Sequence, residues 1–175
     1  VTGVWYNSYE DTDGTIQNFG TGSIQNFQIG IDFGSGAYLS EYWDFNILLC
    51  GICLQFKLGS INAGENFRFY GGGMTNSHCI VSNPGGSEFT FYGTALDYSD
   101  QCFINNTGRI ETHGCHMEMH GPSAYEKPLY HCKGSGTITC FGGMFLGAGN
   151  HDDYQGPPVF LETNSSAMIM HDVQI

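Results

Sequence analysis

His116, Glu118 and His120, in the stretch HGCHMEMHGP (113–122), alternate with Met117 and Met119. In an extended strand this puts three titratable side chains on one face and two thioethers on the other. Imidazoles and a carboxylate sharing a face can move protons, orient water or a hydroxyl, or ligate a metal. Alternate strand positions can converge on a metal, but the familiar zinc signatures use Cys pairs or histidines four apart on a helix, and this stretch reads as a strand. No metal and no other cofactor is therefore expected, and the plain alternative is an exposed polar strand.

Other stretches offer less chemistry. Asp152 and Asp153, in NHDDYQG (150–156), supply hard oxygen ligands but lack the alternating acid spacing of a calcium loop. Gly71-Gly72-Gly73 reads as a tight corner and not a phosphate cradle, since no helical pattern follows. Seven cysteines include a single C-x-x-C, Cys50 to Cys53, with no second half, so they read as core thiols. Arg68 and Arg109 are expected to project outward, with Glu111 near Arg109 as an ion-pair partner.

The frame for these residues must be mostly β. Of 175 residues, 41% are hydrophobic and 14% aromatic, enough for one domain with a sizeable core. Twenty-six glycines and only 13% charged residues point to short strands joined by tight turns. Five basic residues against 17 acidic ones give a net charge of −12, which excludes the clustered Lys and Arg that nucleic-acid binding needs. No 18-residue apolar run exists, so no membrane insertion is expected. The first residue is Val1 with no signal-peptide pattern after it, and an excised or processed piece of a longer protein is expected.

Self-similarity organises the chain. NFRFYGGGM (66–74), EFTFYGTAL (88–96), RIETHGCHM (109–117), TITCFGGMF (137–145) and AMIMHDVQI (167–175) align without gaps, their starts 22, 21, 28 and 30 residues apart. Between them lie further strand-like units, among them HCIVSNPG (78–85) and QCFINNTG (101–108). The second column holds Phe67, Phe89, Ile110, Ile138 and Met168; the fourth holds Phe69, Phe91, Thr112, Cys140 and Met170. Units that cannot bury an apolar face alone, but can when stacked, make a solenoid with parallel strand pairing. Residues 23–65 read as earlier, looser coils, and residues 1–22 as an N-terminal cap, a linker or a preceding coil.

With these residues in view, the chain resembles the parallel β-helix of bacteriophage tailspike and tail appendage proteins, within the pectate-lyase-like superfamily. AGENFRFYGGG, FTFYGTALDYSDQ and GCHMEMHGP carry the likeness, which covers residues 23–175. It implies an all-β, single-stranded, right-handed parallel β-helix and a homotrimer in the virion tail. It also implies extracellular binding or cleavage of a bacterial capsular polysaccharide or lipopolysaccharide, usually through acidic residues.

The columns then specify a site. Met117 falls at an inward position, so His116 and Glu118 face outward, and Asp97 occupies the column of Glu118 one coil earlier. Two carboxylates one strand spacing apart repel, so one is expected to titrate upward as a general acid while the other stays ionised. Asp97, Glu118 and His116 are thus the candidate catalytic residues. Asp100, His120, Tyr92, Tyr98, Tyr125 and Arg109 are candidate substrate contacts. Hydrolysis by paired carboxylates suits a chain rich in acids and poor in cations better than elimination, which needs a cation to neutralise a uronate. The competing readings are a non-catalytic receptor-binding or structural module and, last, a secreted pectinolytic enzyme.

Overall fold

The computed structural model describes residues 2–6, 15–34, 37–56, 65–118, 128–146 and 159–174. Every regular element among them is a strand, and the strands form three sheets in which all pairing is parallel. The first sheet holds Thr2–Tyr6, Ile29–Phe33, Ile52–Phe56, Cys79–Asn83, Gln101–Asn105, Tyr130–Cys132 and Val159–Leu161. Thr15–Phe19, Ala37–Trp43, Phe67–Tyr70, Glu88–Tyr92, Arg109–His113, Thr137–Phe141 and Ala167–His171 form the second. Gly22–Gln25, Phe45–Leu48, Gly73–Thr75, Ala95–Asp97, His116–Glu118 and Met144–Leu146 form the third. The chain visits the sheets in that order, coil after coil, so the protein is an all-β parallel β-helix. Thr2–Tyr6 and Thr15–Phe19 pair with strands of the following coil.

Residue pairing follows the gap-free alignment. Phe67 pairs with Phe89, Phe89 with Ile110, Ile110 with Ile138 and Ile138 with Met168. The third sheet keeps the same offsets, with Met74 opposite Leu96 and Met117 opposite Phe145. The alternation that makes these strands also makes the core: Phe67, Phe89, Phe91, Ile110 and Ile138 point inward and are fully buried, whereas Arg68, Glu111 and Thr139 face out. Inward rings stack from coil to coil, Tyr42 on Phe69 at 4.5 Å and Phe69 on Phe91 at 5.2 Å.

Polar columns hold the corners. Asn83 and Asn105 are buried, and the Asn83 amide donates to Asn105 Oδ1 at 2.9 Å and to the Ser87 carbonyl at 2.7 Å. Unsatisfied, those amides would destabilise the turn they span; satisfied, they tie adjacent coils together. Between second and third sheets the residue after each of the last six second-sheet strands is left-handed: Asp44, Gly71, Gly93, Gly114, Gly142 and Asp172, with φ from 50° to 66°. Gly72 follows in the same conformation, and a Cβ there would strike the Phe45 backbone. The glycine triplet is accordingly a corner. All seven cysteines are free and buried, and burial pushes the Cys53 thiol up to about 12 and Cys115 up to about 11. They fill space as apolar groups and are not nucleophiles. No helix among the described residues is long and apolar enough to cross a membrane.

Truncating a ring in the middle of the stack tests this interior. Phe91→Ala is expected to cost about 3–5 kcal/mol in urea unfolding, through lost burial and the cavity left behind. Thr139→Ala, on the outer face of the same sheet, is expected to change stability by less than about 0.5 kcal/mol.

Candidate functional site

The second set of corners, joining the third sheet to the first, positions the candidate residues. Asn26, Leu49, Asn76 and Tyr98 each take φ between 53° and 64°. Each donates its N–H to the next coil, to the carbonyls of Leu48, Thr75, Asp97 and Glu118 respectively. Tyr98 therefore sits at a turn directly after Asp97, with Glu118 on the neighbouring coil.

Asp97 and Glu118 do come together, but not as two carboxylates facing water. Asp97 Oδ1 accepts the Glu118 backbone N–H at 2.8 Å, and both Asp97 oxygens lie 3.1 Å from His116 Nδ1. The Asp97 side chain is only 10% exposed. The expectation of a like-charged, water-facing pair is corrected by this geometry: a carboxylate that accepts an amide N–H and faces an imidazole is held by charge-assisted bonds, which outcompete water. Asp97 holds the position of its neighbours, while His116 and Glu118 remain partly exposed. Glu118 Oε2 accepts the Tyr98 hydroxyl at 2.8 Å. That bond raises the phenol's pKa above its ordinary value, because ionisation would break the bond and set a phenolate against a carboxylate.

Asp100 lies two residues beyond Tyr98, and its Oδ2 meets His78 Nδ1 at 2.6 Å. The imidazole is 78% exposed and the carboxylate 14%. His78 was not among the sequence candidates, although the offset that pairs Cys79 with Gln101 sets His78 opposite Asp100. His78 and Asp100 line an open groove of about 550 Å³ together with Asn26, Leu49, Asn76 and Tyr98. Two imidazoles, each aimed by an aspartate of the coil between them, thus lie two coils apart, His78 in the groove lining and His116 outside it. This arrangement fixes which imidazole nitrogen faces the protein and leaves the other ring atoms toward solvent.

The remaining candidates separate. Tyr92 and Arg109 lie on the outer face of the second sheet, across the Gly93 and Gly114 corners from the groove-side residues. Tyr92 is stacked between Tyr70 at 4.9 Å and His113 at 4.8 Å, so both ring faces are covered and neither is open to a sugar. Arg109 Nε is 3.5 Å from Glu111 and its Nη2 3.8 Å from Glu88. It is an ion-paired surface residue, as Arg68 is with Glu41 at 3.3 Å. His120 and Tyr125 lie outside the described residues, as do Asp152 and Asp153. Among the described residues no three His, Cys, Asp or Glu side chains are grouped to hold a metal ion.

No protein-family model matches the chain, and neither a curated protein nor a solved structure matches it.

Two measurements check this geometry. Glu118→Gln is expected to bring the Tyr98 ionisation midpoint down toward the ordinary tyrosine value, followed by NMR of the labelled ring. In the wild-type protein the bond persists below the free-tyrosine range and is lost as pH rises through the elevated midpoint. Asp97→Ala is expected to cost about 1–3 kcal/mol in urea unfolding, because the Glu118 N–H loses its acceptor.

Proposed function

We propose that this β-helix is a phage tailspike-type depolymerase that binds and hydrolyses a bacterial surface polysaccharide. The observation that carries the proposal is a pair of partly exposed acid–base groups, Glu118 and His116, each held by a second residue, with Glu118 bonded to Tyr98 of an open groove's lining. Glycosidic hydrolysis needs a proton donor at the leaving oxygen and a group that activates water or attacks the sugar. Glu118 and His116 are the groups assigned to those tasks, with Asp97 as the residue that positions both. Tyr98, through its bond to Glu118, orients the carboxylate and offers an edge to the sugar.

Hydrolysis is favoured over elimination because no Lys or Arg lines the described groove to neutralise a uronate. The repeat's likeness to tail proteins supports a place in the virion tail, a homotrimer, and capsule or lipopolysaccharide as the extracellular partner. A second reading, adsorption to glycan without cleavage, is favoured by one specific fact: the Asp97 carboxylate is already occupied by Glu118 and His116.

Incubation with purified surface polysaccharides, followed by gel filtration, separates the two. The depolymerase reading predicts a fall in chain length without the absorbance of unsaturated uronates. It also predicts that Glu118→Gln lowers the rate at least about 100-fold while binding persists. Saturable binding with unchanged polymer length would establish the second reading, and absence of binding would reject both.

A further inference from the structure

We infer that the groove takes an uncharged glycan segment laid along the helix axis, held by the His78–Asp100 pair and the corner side chains, and that it rejects uronate- and sialate-bearing chains. This inference rests on the glycan reading above and narrows it to a substrate class.

The groove's walls are built by repetition. Asn26, Leu49, Asn76 and Tyr98 stand on four successive coils in the same left-handed conformation, so their side chains leave the corner in one file. At the usual strand spacing that file extends about 14 Å, long enough for a few sugar rings. Asn26 and Asn76 are exposed amides, which donate to and accept from hydroxyls alike. Leu49 is 51% exposed and Tyr98 40%, giving apolar surface between the amides. Alternating amide and apolar groups suit the alternating hydroxyl-rich and C–H-rich faces of a sugar chain.

The second wall is His78, projecting from the start of the first-sheet strand with Asp100 behind it. Asp100 keeps the ring turned into the groove, where it can meet a hydroxyl. A carboxylate on the glycan would find Asp100 in the lining, Asp97 and Glu118 beside Tyr98, and no lining Lys or Arg among the described residues. It would lose hydration with only the His78 imidazole, already paired with Asp100, to meet it, in a chain of net charge −12. Neutral sugars carry no such penalty.

The test is an array of purified bacterial capsular polysaccharides and O-antigens, scored by whether the repeat unit contains a carboxylate. Carboxyl-reduced forms of the acidic members are printed beside them. Neutral glycans are expected to be retained, and reduction of an acidic relative is expected to strengthen its binding. His78→Ala is expected to weaken retention about tenfold without moving the thermal midpoint, since the ring is exposed. Retention confined to carboxylate-bearing chains, weaker binding after reduction, or full affinity in His78→Ala would overturn the inference and leave the glycan reading standing. Retention of no member would remove that reading, and this inference with it.

Discussion

Main-chain hydrogen bonding between consecutive coils, at corners turned by left-handed residues, is the constraint on which the rest depends. Along one edge Gly71, Gly93, Gly114 and Gly142 donate to the carbonyls of Tyr92, His113, Phe141 and His171. Along another, Asn26, Leu49, Asn76 and Tyr98 donate in the same way. Because the bonds pass from each coil to the next, they hold corners in register and the three sheets with them. A slip of one residue would turn every inward ring outward.

Fixed register has chemical consequences at the surface. It aligns side chains into columns, and whatever a column contains is repeated at strand spacing. On the outside of the second sheet the column reads Trp43, Tyr70, Tyr92, His113, Phe141 and His171, a continuous stack with ring separations from 4.1 to 5.1 Å. That stack buries its own faces and so braces the helix instead of offering platforms. On the opposite side of the Gly corner, the same register brings an aspartate of one coil to a histidine of another twice over, at Asp97–His116 and at His78–Asp100.

Much of the fold was legible because the repeat's information lies in side-chain type. Phe67, Phe89, Ile110 and Ile138 announce one inward column whatever loops intervene, and the glycines after Tyr70, Tyr92, His113 and Phe141 mark the corner. The other corner was less legible, since Asn26, Leu49, Asn76 and Tyr98 carry no glycine to advertise a positive φ. In the early coils a register shift between Thr15 and Gln17 interrupts the column pattern. At the site, column reasoning placed Asp97 beside Glu118 correctly, but side-chain torsions decide what a carboxylate touches. The Glu118 amide and the His116 ring claimed Asp97. Tyr92 reads in the sequence as a candidate substrate contact, but a single corner residue, Gly93, puts it on another face from the acids. His78 went unread for the opposite reason: nothing local marks it, and only its cross-coil position opposite Asp100 gives it a role.

The most direct measurement is the scalar coupling transmitted through hydrogen bonds between backbone nitrogen and carbonyl carbon, recorded by NMR on deuterated, doubly labelled protein. The account predicts correlations from the Asn76 nitrogen to the Asp97 carbonyl and from the Tyr98 nitrogen to the Glu118 carbonyl, together with Gly93 to His113. Correlations displaced to neighbouring residues, such as Tyr98 to Met117, would contradict the register. The groove, both Asp–His pairs and the proposed chemistry would fall with it.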